Sequence, residues 1–213
     1  MRSTRTLRAP GILAKTSIVL VAAAATLALA SLPTRAATAT ATADAGEAAL
    51  MNVIALVSQR LTLADTVARY KWSKSQDITD TPRENALLKD VAQRATGYGV
   101  EPQFARTFFR DQIDANKSVQ QGLIAAWQQI PPSPQAVPDL AQSIRPELDR
   151  LTVSMLTALG RIEPLRQADD CPIELAHGLA EWHRLNPSDT LHEQALKQAL
   201  AHLCLSGGVG ATA

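Results

Sequence analysis

Apolar residues recur three or four positions apart through most of this chain, which predicts helices from about residue 46 to residue 205. No run of β-branched residues alternates with polar ones at a period of two, so strands are not expected. The first helix is predicted over about Gly46–Trp72. Its apolar stripe consists of Leu50, Val53, Ile54, Val57, Leu61, Ala64 and Ala68. Such a stripe is typical of a helix that packs one face against a core.

Capping and turn residues divide the rest of the chain into further helices. The second is expected to begin at Thr81, which would cap it, with Glu84 reaching back to the Thr81 amide, and to end near Gly97–Gly99. Pro146 predicts either a kink or a late start in the fourth helix. The remaining helices are expected over about 102–130, 138–162, 172–185 and 188–205. These elements predict an all-α fold, a compact array of about six helices, because no heptad pattern persists.

The amino terminus has the features of a secretory signal peptide. A cationic start precedes an apolar run over Ser17–Leu32, and small residues follow around Ala36. We expect a cleaved signal over 1–36, a linker over 37–43 and one helical domain over 44–213. A membrane anchor is the alternative, although the run is somewhat short for a membrane span. The predicted location is therefore periplasmic or secreted.

Charge and composition exclude several classes of function. The signal segment holds five basic residues and no acidic ones, so its removal turns a net charge of +1 into −4. Only 4% of residues are aromatic, and neither feature favours nucleic-acid binding. No CxxC or HExxH motif proposes a metal site. Cys171 and Cys204 suggest a disulfide in an exported chain, with two buried thiols as the alternative.

Arg60 and Lys71 are candidate binding residues on the first helix. Eleven residues make about three helical turns, so both side chains project from one face, roughly 16 Å apart along the axis. Both lie along the apolar stripe, where an unpaired charge is costly. The gap between them, floored by Ala64, Val67 and Ala68, suits a small anion. The alternative is a pair of solvated surface cations.

Two further groups of polar residues are candidates. Asn116 and Gln120 lie one turn apart on the third helix, on an apolar stripe, and could be an inter-helix hydrogen-bond pair instead. Asp80, Arg83 and Glu84 lie at the start of the second helix, where plain capping is the alternative. The four histidines have no acid or nucleophile at a telling spacing and are expected to be surface or structural residues.

The order of these residues resembles that of the all-α chorismate mutases. The resemblance rests on Gln59-Arg60-Leu61, Tyr70-Lys71-Trp72, Asp80 with Arg83-Glu84, Phe108-Phe109, and Asn116 with Gln120-Gln121. The connector that follows, Arg145, Cys171 and Cys204 are similar to the exported subclass. The resemblance covers about residues 48–206. It implies rearrangement of chorismate to prephenate, with no cofactor and no metal.

The resemblance also implies roles for the polar residues. Arg60 and Arg83 would bind the two carboxylates of chorismate. Lys71 and Gln120 would donate to its ether oxygen, where negative charge grows during the one-step reaction. This inventory fits the chemistry independently, because the reaction needs a held conformation and well-placed donors rather than a nucleophile.

Other members of the predicted site have supporting roles. Asp80 and Glu84 would orient neighbouring cations and bind the ring hydroxyl, and Asn116 would support the substrate. Arg145 would replace the cation that simpler relatives take from a partner chain. Each site would then lie within one chain. The resemblance also implies a homodimer, with chorismate as the small-molecule partner and no membrane contact after signal cleavage.

Two other functions remain open from the sequence. An isochorismate pyruvate-lyase would use the same helical scaffold. A non-catalytic periplasmic helical binding protein would not need Arg60, Lys71, Arg83 and Gln120 to converge on one point.

Overall fold

A computed structural model describes the backbone of residues 34–206 and the side chains of residues 45–206. The apolar run of the predicted signal peptide lies outside these residues. Within them the structure contains helices and turns and no strand, which confirms the all-α prediction. The helices are α1 Thr34–Lys74, α2 Thr81–Ala95, α3 Pro102–Gln129, α4 Arg145–Arg161, α5 Glu163–Arg166, α6 Cys171–Leu185 and α7 Thr190–Ala199.

The apolar stripe of α1 forms one wall of the core, as its spacing predicts. Every residue of the stripe, from Leu50 to Ala68, is no more than 2% exposed. Phe108 and Phe109 of α3 are fully buried beside one another, with ring centroids 5.5 Å apart. Helix α3 packs against both α2 and α7, so it is central to the fold.

Two helix ends differ from the prediction, and one short helix is additional. Helix α1 begins at Thr34 rather than Gly46, so the Ala- and Thr-rich run expected as a linker is helical. Alanine is the strongest helix former, which explains why that run can extend the helix. Helix α7 ends at Ala199 rather than near 205, and the one-turn helix α5 was not expected. The chain after α7 turns back, and the Leu205 amide donates to the Arg166 carbonyl at 3.0 Å.

The cap of α2 is Asp80, and the prediction of Thr81 was wrong. The Arg83 amide donates to Asp80 Oδ1 at 3.2 Å, while Thr81 is the first helical residue and Pro82 lies in the first turn. An Asp caps at least as well as a Thr, and here Asp80 directly precedes the helical backbone. Helix α2 ends as expected, with a 3₁₀ turn over Thr96–Tyr98 and a left-handed Gly99 at φ 72°.

Pro146 gives the fourth helix the late start that was one of its two expected effects. Helix α4 begins at Arg145, directly after a π-helical turn over Leu140–Ile144. The Arg145 amide donates to the Leu140 carbonyl, five residues earlier, and Asp139 caps the turn. A proline cannot donate to the carbonyl four residues before it and clashes with that carbonyl, so the wider turn accommodates the ring.

Cys171 and Cys204 form a disulfide, which confirms that prediction. Their Cα atoms are 5.8 Å apart, and 33 positions separate the two residues in sequence. In the chain-entropy view a loop of this length stabilises the fold by roughly 3–4 kcal/mol. The bond ties the start of α6 to the segment after α7. None of the helices described between residues 34 and 206 is long and apolar enough to cross a membrane.

At Gly160, α4 lies close against the backbone of Tyr98. A Cβ atom at this position would lie 2.1 Å from the Tyr98 carbonyl oxygen. No real Cβ contact is this short, so the two backbones must separate before any side chain fits.

We predict that Gly160→Ala lowers the free energy of unfolding by about 1–3 kcal/mol through overpacking. The matched control is Gly46→Ala, since a Cβ there meets nothing within 4 Å. That control should be neutral or stabilise the helix by up to about 1 kcal/mol. Urea unfolding of both variants measures the difference, and equal stabilities would contradict the close contact.

Candidate active site

A cavity of about 620 Å³ opens between α1, α2, α3 and the beginning of α4. The loop between α1 and α2 closes one side of it. All eight residues that the sequence analysis singled out as binding or catalytic line this cavity: Arg60, Lys71, Asp80, Arg83, Glu84, Asn116, Gln120 and Arg145. Four separate elements therefore bring these polar side chains together. The four histidines, all within the described residues, do not line it.

Arg60 is a buried cation that has no hydrogen-bond partner or ion pair among the described residues. Its side chain projects from the buried stripe of α1, the residue is 6% exposed, and its Nε and Nη1 atoms are buried without hydrogen bonds. Burial lowers its pKa to about 10, with Arg83 acting in the same direction and Asp149 opposing. The alternative of a solvated surface cation is therefore wrong for this residue. Its free donors are available to an anion in the cavity.

Lys71 lies three turns further along the same helix and is half-buried. Burial lowers its pKa, while Asp80, Glu84 and Asp77 raise it. Its ammonium donates to the Ile78 carbonyl, in the loop that follows α1. An ammonium has three donors, so this contact leaves others for a ligand.

Gln120 and Asn116 form a hydrogen-bonded pair at the α3 wall. Gln120 is 3% exposed, and its Nε2 donates to Asn116 Oδ1 at 2.7 Å. The pair lies within one helix, so the alternative of a bond between helices is wrong. Nε2 also lies 3.3 Å from the Asn116 backbone carbonyl, and Oε1 is buried with no hydrogen-bond partner among the described residues. A buried amide with unused capacity at a cavity wall can bind a polar ligand atom.

Glu84 does not reach back to the Thr81 amide, as a simple capping role requires. Its Oε2 lies 3.4 Å from Arg110 Nη1 and 3.4 Å from Lys117 Nζ, both on α3. Asp80 and Arg83 are exposed at the rim of the cavity. Arg145 is half-buried at the first residue of α4, where the π-helical turn ends.

The sequence analysis missed several residues of the cavity wall, four of which lie on α3 and around the start of α4. These four are Lys117 on α3 and the apolar Leu140, Ile144 and Leu148, which flank Arg145. The three apolar residues recur every four positions, a helical spacing that continues across Pro146 and could have revealed them. Lys117 directly follows Asn116, but nothing in a single sequence distinguishes it from a surface lysine.

The charges of the cavity favour a doubly negative ligand. Its wall carries the cations Arg60, Lys71, Arg83, Lys117 and Arg145 and the carboxylates Asp77, Asp80 and Glu84. With all of these ionised, the five cations exceed the three carboxylates by two charges. Among the described residues there is also no group of three or more histidine, cysteine or acidic side chains arranged to hold a metal ion.

Comparison with known proteins agrees with this geometry. Residues 51–121 match the family model described as chorismate mutase type II. The chain is 31% identical to a secreted chorismate mutase of Mycolicibacterium smegmatis over 84% of its own length and 98% of the relative's. The chain belongs to the type II chorismate mutase family. The resemblance found in the sequence is thereby confirmed.

Two other relatives extend the comparison. A secreted chorismate mutase of Mycobacterium tuberculosis is 29% identical over 75% of this chain and 80% of the relative. The crystal structure of a chorismate mutase from Burkholderia thailandensis is 51% identical, with a TM-score of 0.71 over 73% of this chain and 99% of that one. Like the relatives named as secreted, this protein is periplasmic or secreted.

We predict that Arg60→Met abolishes activity and stabilises the free protein by roughly 1–4 kcal/mol. Replacing a buried, unpaired cation with an apolar side chain of similar length removes the cost of keeping its charge from water. Thermal unfolding without ligand measures the gain.

The control is Arg94→Met, because Arg94 already pairs with Asp90 at 2.9 Å on a partly exposed surface. That variant should change stability by no more than about 0.5 kcal/mol. An Arg60→Met protein that is less stable than the parent would mean that Arg60 has a stabilising partner in solution.

Proposed function

We propose that the cavity binds chorismate and rearranges it to prephenate, with the eight predicted residues as its binding and catalytic groups. The observation that carries the proposal is the convergence of Arg60, Lys71 and Gln120 on one cavity with an excess of positive charge. The reaction breaks the ether C–O bond and forms a C–C bond within one molecule. It therefore needs no co-reactant, only a substrate held in a reactive conformation.

Arg60 is suited to bind one carboxylate of chorismate. Its Nε and Nη1 lack partners, and a guanidinium can pair with a carboxylate through two hydrogen bonds. Arg83 at the rim and Arg145 on α4 are the cations for the second carboxylate. The substrate would thus be held at both ends, with Val67, Ile113 and other apolar side chains against its ring.

Lys71 and Gln120 are suited to the ether oxygen. Negative charge on this oxygen is larger in the transition state than in bound chorismate, so donors placed there lower the barrier. Lys71 keeps unused N–H groups beside the cavity. The longer contact of Gln120 Nε2, at 3.3 Å from the Asn116 backbone carbonyl, would give way to the ether oxygen. Asn116 accepts from Gln120 Nε2 through its Oδ1, which holds the amide at the cavity wall.

Asp80 and Glu84 supply the acceptors. Chorismate carries one ring hydroxyl, and a carboxylate at the α2 wall can accept its proton in a hydrogen bond. Both carboxylates also act on Lys71, since each favours its charged form.

The other two functions differ in what they require. A binding protein does not need a buried amide and a half-buried lysine as donors beside the same ligand atom. Isochorismate lysis remains a chemical alternative on the same scaffold. Incubating the purified protein with chorismate and isochorismate separately, and following the loss of each, tests the proposal. Loss of isochorismate with release of pyruvate, and no loss of chorismate, would overturn it.

We also propose a homodimer whose sites each lie within one chain. The support is that Arg145 lines the same cavity as Lys71 without any contribution from a second chain. Relatives of simpler construction take this cation from a partner, and α4 makes that exchange unnecessary.

We predict that mixing Arg145→Ala subunits with Lys71→Ala subunits restores no activity under conditions that exchange subunits. Each chain then lacks a group that no partner can supply. If sites were shared across a two-fold interface, about half the dimers would be mixed and each would regain one site. Recovery toward roughly a quarter of the parent rate would therefore contradict a single-chain site.

We predict that Gln120→Glu is poor at neutral pH and recovers as the pH falls. An ionised carboxylate would repel the charge growing on the ether oxygen, whereas a protonated one would donate to it. Burial at this position should raise the pKa of the introduced carboxyl, so recovery should begin above the ordinary Glu value of about 4.3.

The measurement is kcat from about pH 5 to 8, a window above the ordinary Glu pKa. The parent protein, with a neutral amide, should be comparatively flat. Gln120→Ala is the matched control and should lose about 10²–10³ in rate at every pH. A Gln120→Glu variant with the parent rate and a flat profile would mean that Gln120 only packs the core.

A further inference from the structure

Lys117 is a cation of the cavity wall to which the proposed reaction gives no role. Its Nζ lies 3.4 Å from Glu84 Oε2 and 3.4 Å from Asp114 Oδ1. The Lys117 side chain is 23% exposed and that of Glu84 is 14% exposed. An ion pair this sheltered is screened less by water and salt than a pair on the open surface.

We propose that Lys117 is a positioning residue that holds Glu84 by one oxygen, leaves the other for the substrate, and keeps Glu84 from capturing Lys71. The proposal rests on the proposed function, because it assigns Glu84 to the ring hydroxyl and Lys71 to the ether oxygen.

The first support is the choice of oxygen. Arg110 and Lys117 are seven residues apart on α3, about two helical turns, so they face α2 from the same side. Both contact the same atom, Glu84 Oε2. Within the described part of the chain, Oε1 accepts no hydrogen bond from protein. Two cations on one oxygen fix the carboxylate plane and leave Oε1 as an acceptor at the cavity wall.

The second support is that Glu84 contacts Lys117 and also acts electrostatically on Lys71, and all three line the same cavity. Glu84 and Asp80 both favour the charged form of Lys71, and Lys117 opposes it. Without Lys117, Glu84 would have Lys71 as its remaining lysine partner across the cavity. A direct ion pair would engage the ammonium donors that the ether oxygen requires. Lys117 therefore acts through Glu84 rather than by contact with the reacting atoms.

Arg110 cannot fully replace Lys117 in this arrangement. Its side chain is 39% exposed, and it does not line the cavity. A solvated guanidinium holds a carboxylate weakly, since exposed pairs contribute little. The sheltered contact from Lys117 is the one that decides where Glu84 points.

The test begins with Lys117→Met, which removes the charge and keeps the length of the side chain. We expect kcat/KM for chorismate to fall about tenfold, the scale of one charge-assisted hydrogen bond. The alkaline limb of the kcat/KM profile should also move to higher pH, because a cation near Lys71 has been removed. Lys117→Arg should retain most of the rate. Lys89→Met, at an exposed position on α2, is the control and should match the parent.

A double-mutant cycle with Glu84→Gln separates a positioning role from a general one. If Lys117 acts through Glu84, Lys117→Met should cause little further loss in the Glu84→Gln background. Three results would each overturn the proposal. They are a full tenfold loss of kcat/KM in the Glu84→Gln background, no loss in the parent background, or an equal loss in Lys89→Met. If Lys117→Met lowers the unfolding midpoint, Lys117→Gln is judged by the same criteria.

Failure of the proposed function gives a different result. In that case the parent protein does not consume chorismate, or Lys71→Ala remains active. Both measurements are made before any Lys117 variant is compared. The same double-mutant cycle can be measured without turnover. The quantity is then the affinity, determined by calorimetry, for a bicyclic dicarboxylate ether shaped like the transition state. Additive losses of affinity in that cycle would also overturn the role of Lys117.

Discussion

An uncompensated guanidinium inside the core is the constraint on which the rest of this structure depends. Arg60 extends from the buried side of α1, and two of its nitrogens have no partner. A buried charge without a partner destabilises a fold by several kcal/mol, so other elements must offset it. The apolar stripe of α1, the buried aromatic pair of α3 and the Cys171–Cys204 disulfide supply that stability. An anionic ligand in the cavity would offset this cost, because it would pair with the buried guanidinium.

Apart from Lys117, the cations of the proposed site are not neutralised by its acids. Among the described residues Arg60 has no ion pair, and Asp149 affects it only at a distance. Glu84 is instead engaged by two side chains of α3. A cavity built this way keeps its positive potential toward a dianion, because its own carboxylates do not occupy the donors. Preorganised donors of this kind cost no rearrangement when charge develops.

Local periodicity and long-range contacts explain which predictions succeeded. The buried stripe of α1 and the shared face of Arg60 and Lys71 follow from helical geometry alone, so the sequence was sufficient. Asp80 rather than Thr81 caps α2. Both residue types can cap a helix, so the backbone of the preceding loop decides between them, and no local pattern predicts it. The early end of α7 follows from a disulfide and a hydrogen bond to Arg166, which no local pattern contains. The role proposed for Lys117 depends on its contact with Glu84 of α2, a different helix, so a local pattern on α3 does not reveal it.

The position of Arg145 shows how one backbone irregularity completes the site. Pro146 excludes a regular helix through the preceding turn, and the π-helical turn brings Leu140, Ile144 and Arg145 to the cavity wall. In the proposed function, a cation supplied by the same chain would make each site independent of subunit association. Association depends on concentration, and an exported protein is diluted once it leaves the cell. A site completed by α4 would therefore keep its full set of cations at dilutions where a shared site would lose one.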